Sequence, residues 1–180
     1  GEGDDILDAG EGIDHLYGGA GNDTYLFGAG YGINVVNDER GTTVIKLSDD
    51  LAIENIDVVS LGENAIISVK NTQDRMILTN YKNNIGNYQL QIGDQRIDVF
   101  SCIKGSNEDS LTGTSQGDYM ENSEKSFVAG DSGDDRIIGT KLDEWIFGDS
   151  GKDQLLTEDG NDVIYAGSGD DYISSGAGND

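Results

Sequence analysis

The 180-residue sequence contains no proline, one cysteine, one histidine and one tryptophan, and sets only 11 lysines and arginines against 35 aspartates and glutamates. Each scarcity removes a class of function. Cys102 alone cannot close an internal disulfide, and it reads as a small half-buried filler. With His15 as the only histidine there is no Cys/His cluster to hold zinc. No apolar run approaches the roughly 18 residues needed to cross a bilayer, and no basic, apolar leader opens the chain. The formal charge of −24 repels nucleic acid and anionic membrane surfaces.

What the sequence does contain is 27 glycines and 25 aspartates. Asp with Gly is the composition of tight loops and of oxygen-rich cation sites, which points to a hard cation as partner. The glycines recur with a period of nine. Counting from Gly130, position six of successive blocks carries Asp135, Glu144, Asp153, Asp162, Asp171 and Asp180, and position eight carries Ile137, Ile146, Leu155, Ile164 and Ile173. The N-terminal stretch repeats this with Asp5, Asp14 and Asp23 at position six and Leu7, Leu16 and Tyr25 at position eight. A fourth N-terminal block, FGAGYGINV, has Gly32 where the acid is expected. The glycine-rich half of each block supplies positive-φ turns, and the three residues after the acid make a very short strand. One inward side chain per block makes no core by itself, but stacked blocks do.

These blocks resemble the RTX nonapeptide repeat, G-G-x-G-x-D-x-U-x, of secreted bacterial toxins, adhesins, proteases, lipases and epimerases. The resemblance implies an all-β fold with two calcium-loaded parallel β-rolls, same-edge loops lying 18 residues apart and Ca2+ between them. Each ion would take backbone carbonyls of positions two and four and the position-six acid from one loop, and carbonyls of positions one and three and the acid from the next. Carried onto this chain, one full site joins Gly1, Gly3 and Asp5 with Gly18, Ala20 and Asp23. A second joins Asp131, Gly133 and Asp135 with Gly148, Ser150 and Asp153. A third joins Asp149, Gly151 and Asp153 with Ala166, Ser168 and Asp171, and a fourth Glu158, Gly160 and Asp162 with Ser175, Ala177 and Asp180. Weaker sites are expected at Thr140, Leu142 and Glu144 with Thr157, Asp159 and Asp162, and at Gly10, Gly12 and Asp14, whose partner loop lacks its acid.

Between the repeats the period of nine gives way to alternating strands such as VIKL, ENAIISV, RMILTNY and YQLQIGDQRI. Together with GGAGNDTYLFGAGYGINVVNDE they resemble the haemolysin-type calcium-binding-related segment that caps such rolls, and are similar to the segment after the last RTX block of adenylate cyclase toxin. The expected organisation is a roll over residues 1–36, a β-rich cap over 37–104, degenerate repeats over 105–129 and a second roll over 130–180. Asp118 to Asp135 is 17 rather than 18 residues, and the acid-free block of 121–129 is expected to interrupt the stack. Because the sequence begins and stops within a repeat, it reads as a piece of a longer repeat protein. His15 and Trp145, at position seven, are expected on the outer face, Trp145 as a solitary aromatic. Position-five acids such as Asp134 and Asp170 are expected to point to solvent. Adjacent acids in one loop diverge, which disfavours a glycosidase pair. The G-x-G strings lack a following helix, and no EF-hand loop is present. The resemblance implies a non-catalytic, calcium-binding segment of a secreted toxin or adhesin, exported by a type I secretion apparatus and meeting a host-cell surface through the parent protein. The alternative is the export and stabilising tail of a secreted hydrolase or epimerase.

Overall fold

The computed structural model describes residues 1–38, 40–84, 87–103 and 109–180. The described elements are strands and three short 3-10 turns, and no helix among the described residues is long and apolar enough to cross a membrane. The chain divides into two units, residues 1–60 with 64–105 and residues 61–63 with 106–180. The boundary expected at 104–105 lies outside the described residues.

The first unit begins with β1 (Ile6–Leu7), β2 (Ile13–Tyr17), β3 (Thr24–Phe27), β4 (Ile33–Asn37) and β5 (Thr43–Leu47). Alternate strands join opposite sheets, as a coil requires: β1, β3 and β5 pair in parallel in one, β2 and β4 in the other. The next strands are β6 (Ile56–Leu61), β7 (Asn64–Val69), β8 (Arg75–Leu78), β9 (Tyr88–Ile92) and β10 (Gln95–Asp98). They extend the same two sheets rather than forming a third layer. Strand β8 adds in parallel to β4 and β9 in parallel to β5, and each sheet then turns antiparallel, with β7 on β8 and β10 on β9. The antiparallel ends break the parallel template, which limits edge-to-edge growth. The apolar positions meet between the sheets: Tyr25, Phe27, Val36, Ile45, Leu47, Ile67, Met76, Leu78, Tyr88 and Leu90 form one buried cluster. Full burial of such a side chain contributes about 2 kcal/mol.

The second unit consists of three-residue strands, β11 (Ser110–Thr112), β12 (Tyr119–Glu121), β13 (Phe127–Ala129), β14 (Arg136–Ile138), β15 (Trp145–Phe147), β16 (Gln154–Leu156), β17 (Val163–Tyr165) and β18 (Tyr172–Ser174). Odd strands form one parallel sheet and even strands the other. Position eight points inward from β12 to β16, where Met120, Val128, Ile137, Ile146 and Leu155 form the core with Leu111 and Ile164 packed against it, whereas Ile173 on β18 is exposed. The expected interruption at 121–129 does not occur. Strand β13 pairs in register with both β11 and β15, because strand stacking needs an inward apolar residue, here Val128, and not an acid. The one-residue slip is absorbed in the loop of residues 122–126: the register is 17 across it (Ser110↔Phe127, Tyr119↔Arg136) and 18 beyond it (Phe127↔Trp145).

Position seven lies on the outer face, and His15 is exposed there. Trp145 is half-buried and not solitary. It stacks on Tyr165 with ring centroids 6.3 Å apart, and Tyr165 in turn stacks on Phe147 at 5.3 Å. Positions seven and nine share the outer face, so aromatics at both pack along the sheet and shield one another, which leaves Phe147 buried.

Candidate metal centre

Three residues of strand cannot satisfy a coil's loop, so the loops must find their own hydrogen-bond partners. They do so through two side-chain ladders. The position-six acid accepts, through Oδ1, the backbone N–H of the position-six residue one turn earlier. This holds for Asp5 on Asp23 (2.8 Å), Asp135 on Asp153 (2.9 Å), Glu144 on Asp162 (3.0 Å), Asp153 on Asp171 (2.9 Å) and Asp162 on Asp180 (3.0 Å). Position five runs the opposite way: Asp134 accepts from Lys152 N–H (3.0 Å), Asp143 from Asn161 N–H (2.7 Å) and Asp4 from Asn22 N–H (2.8 Å). Asp134 therefore does more than carry charge to solvent, whereas Asp170 is exposed and pairs with Lys152 at 3.5 Å.

The ladder uses one carboxylate oxygen and leaves the other. Asp14, Asp23, Asp135, Asp153 and Asp162 each hold a buried Oδ2 that accepts no hydrogen bond from the protein. An uncompensated buried carboxylate oxygen is costly, so these five atoms are where a cation would be stabilised. Burial pushes the Asp153 carboxyl up to about 6, opposed by the Asp135 N–H and reinforced by the charges of Asp135, Asp171 and Asp134. Asp135 is raised by burial too, with the Asp118 N–H opposing and the charges of Asp118, Asp131 and Asp134 adding. Among the described residues no three His, Cys, Asp or Glu side chains converge. A cation here must therefore draw on backbone oxygen as well.

The loops present that oxygen. A Cβ at Gly148 would lie 2.3 Å from the Ala166 carbonyl oxygen and 2.7 Å from Asp153 Oδ2. One at Gly130 would lie 2.3 Å from Asp135 Oδ2 and 2.8 Å from the Gly148 carbonyl oxygen. The orphaned acid oxygen and the position-one carbonyl of the next loop thus face the same point, which only glycine leaves open. Carbonyls of positions two and three each accept one N–H across the layer: Gly1 from Ala20, Asp131 from Ser150, Asp149 from Ser168 and Glu158 from Ala177. Ala20 accepts from Gly3, Ser150 from Gly133, Ser168 from Gly151 and Ala177 from Gly160. A carbonyl has two lone pairs, so each retains one.

Position two is left-handed in these loops, at Asp131 (φ 73°), Asp149 (φ 70°) and Glu158 (φ 68°) as at Gly10 (φ 77°), and position four is left-handed at Gly12, Gly133, Gly151 and Gly160. The backbone requirement is stricter than an open choice at position two suggests, and Asp is among the non-glycine residues that tolerate it best.

The predicted residues differ in how completely the structure assembles them. Asp131, Gly133 and Asp135 with Gly148, Ser150 and Asp153 form the most complete constellation, since both acids are buried with a free Oδ2. Asp171 is half-exposed, and Asp5 and Asp180 are exposed. The weaker site at Glu144 is closed by its own loop. Thr140 N–H donates to Oε2 (3.0 Å), the Thr140 hydroxyl donates to Oε1, and Asn122 Nδ2 donates to Oε1 (2.8 Å). Asp118 is closed in the same way by the Thr114 N–H and hydroxyl, at 2.7 and 2.8 Å. In both coils a threonine at position two gives the acid the donors that a cation would otherwise replace. Thr140→Val is expected to destabilise the folded chain by about 1 kcal/mol, the net worth of one hydrogen bond, because Oε1 keeps the Asn122 donor and Oε2 the residue-140 N–H. Denaturant unfolding at saturating calcium measures it, and a midpoint equal to that of the parent contradicts the closure.

Three contributions lay outside the sequence reading. The register of β2 on β4 is 20 and not 18, so Gly32 lies opposite Gly12, and Asn34 lies opposite Asp14. Asn34 is fully buried, and its Oδ1 accepts no hydrogen bond. The apolar pattern carried this signal, since Val36 and not Asn34 continues position eight. Asp74 accepts the N–H groups of Gly30 (3.0 Å) and Gly32 (2.7 Å). Burial raises its carboxyl, but these donors, with Thr72 and Arg75, outweigh that and hold it below the usual carboxylate range. Asp38 is the third.

The model of the RTX calcium-binding nonapeptide repeat (four copies) matches residues 1–33, 127–155 and 147–180. No curated protein matches. Among solved structures, the extracellular lipase LipA from Serratia marcescens is similar at 19% identity with a TM-score of 0.50, over 90% of this chain and 27% of that one. The chain thus spans about a quarter of the length of that structure, and the likeness shows the fold, a parallel β-solenoid of stacked coils. Free acid oxygens, left-handed glycine loops and the repeat match coincide, and the stretches 1–33 and 127–180 are repeats of the RTX calcium-binding type.

Proposed function

We propose that this chain is a non-catalytic, calcium-binding β-roll segment of a larger secreted protein, and that calcium is what allows its acidic coils to stack. The carrying observation is the row of buried Asp oxygens without a protein donor, of which those of Asp135 and Asp153 face the position-one carbonyl of the neighbouring loop. In this reading the ions lie between the loops of Asp5 and Asp23, Asp135 and Asp153, Asp153 and Asp171, and Asp162 and Asp180. The Asp14 loop forms a further site with Asn34 as the neutral partner. Such a chain stays unfolded where calcium is scarce and orders outside the cell, which suits export as an extended polymer by a type I apparatus. The parent is a toxin or adhesin that meets a host-cell surface, with residues 18–99 similar to the segment after the last RTX block of adenylate cyclase toxin. A second parent, a secreted hydrolase with its active site elsewhere, is favoured by the shared fold with an extracellular lipase.

Equilibrium dialysis with metal analysis tests the reading. Several calcium ions per chain are expected at millimolar calcium, and none retained from equal magnesium, which demands a smaller octahedral cage and gives up water reluctantly. Equal retention of the two ions sinks it.

A further inference from the structure

Residues 40–43 follow the repeat pattern in their pairing but not in sequence. Ala20 bridges Arg40, and the N–H of Gly21 donates to the Arg40 carbonyl at 3.1 Å, as in the other stacked loops. Val44 lies opposite Thr24, so the register places Thr43 at position six, where a hydroxyl stands in place of the acid. The acid has moved to position one, as Asp38. Its carboxylate is turned inward and 4% exposed, with Oδ2 accepting the Thr43 hydroxyl at 2.9 Å and Oδ1 accepting no hydrogen bond.

One layer below, Asp23 is fully buried, with its Oδ2 also without a donor. A Cβ at Gly18 would lie 2.3 Å from Asp23 Oδ2 and 2.5 Å from the Tyr25 hydroxyl oxygen. That hydroxyl accepts the Gly18 N–H at 2.8 Å, and the Tyr88 hydroxyl donates to the Asp38 carbonyl at 3.4 Å. The Tyr25 hydroxyl also hydrogen-bonds the Asp38 carboxylate, and the Asp23 charge acts on Asp38. Two buried carboxylates, each with an oxygen that accepts no hydrogen bond, thus share a pocket of hydroxyl and carbonyl oxygen. Among the described residues neither is paired with a lysine or arginine. Two anions in one dry pocket require a shared positive charge.

We propose that Asp23 and Asp38 hold a divalent cation of the hard, oxygen-seeking kind, calcium under secretory conditions, at a site whose second acid comes from position one of its loop. The site rests on the calcium reading above. It makes Asp23 a bridging ligand, with Asp5 below and Asp38 above, as Asp153 bridges Asp135 and Asp171. Its second acid, Asp38, lies beyond residue 33, where the first repeat match stops.

Calcium counts per chain after equilibrium dialysis of the parent, Asp38→Asn and Asp153→Asn decide it, with circular dichroism at saturating calcium as the fold control. Asparagine preserves shape and removes charge. The expected result is one ion fewer in Asp38→Asn and at least one fewer in Asp153→Asn. An unchanged count in Asp38→Asn beside a reduced one in Asp153→Asn overturns this site and leaves the broader reading standing, with a shared proton in place of the cation. A parent that binds no calcium removes both. Should Asp38→Asn not fold, a terbium anomalous map of the crystallised parent serves instead. A peak within about 2.6 Å of both Asp23 Oδ2 and Asp38 Oδ1 supports the site, and peaks at Asp135 and Asp153 alone overturn it.

Discussion

Replacing Asp153 by Ala is expected to raise the calcium concentration at the folding midpoint about tenfold or more, while Asp170→Ala leaves it within about twofold. Asp153 serves two layers at once. Its Oδ1 accepts the Asp135 N–H from the layer below, its own N–H donates to Asp171 above, and its buried Oδ2 has no protein partner. The substitution removes a charged ligand from two proposed ion sites and leaves one buried N–H without an acceptor. The orphaned donor alone costs on the order of 1–3 kcal/mol, and each 1.4 kcal/mol is about tenfold in an equilibrium constant. Asp170 is exposed and pairs with Lys152, an interaction worth little in water. Asp134→Ala falls between them, because it breaks the hydrogen bond to Lys152 N–H. Circular dichroism along a calcium titration of the three variants measures the order. Equal midpoints for Asp153→Ala and Asp170→Ala contradict the register.

The position-six and position-eight residues were legible because a repeat imposes them at fixed spacing. Asp135 and Asp153 fall where the period of nine places them, and so do the buried Ile137, Ile146 and Leu155. Reading glycines alone failed where the loop length changes. The loop before β4 is two residues longer, so spacing by Gly32 hid Asn34, whereas the apolar Val36 marks the true register. The loop of residues 122–126 is one residue shorter, and the acid-free block looked like a break although Phe127, Val128 and Ala129 are all buried and continue both ladders. Pairing of Ile33 with Arg75 spans 42 residues. Local alternation shows that a strand exists but not which distant edge it joins, so the middle strands read as a separate cap. The closure of Glu144 by Thr140 is a side-chain choice that depends on loop conformation, and a repeat template that records only carbonyls at position two cannot see it.

The second unit owes least to its core and most to its loops. Residues 130–180 carry thirteen acids against three basic residues. Their inward side chains amount to one per three-residue strand, whereas the first unit buries Tyr25, Phe27, Tyr81 and Tyr88 within a continuous cluster. Apolar burial on that scale does not offset the ordering entropy of such Gly-rich loops together with the repulsion of their acids. The folded coils must therefore bind something that the unfolded chain does not, and binding of that kind stabilises by mass action. Hydrogen exchange of the intact chain, in millimolar calcium and in excess chelator, measures this directly. The amides of β14, β15, β16 and β17 are expected to be protected in calcium and to exchange at unfolded-chain rates in chelator, with the aromatic cluster of the first unit retaining more protection. Equal protection of β14 to β17 in both conditions would contradict the need for bound calcium.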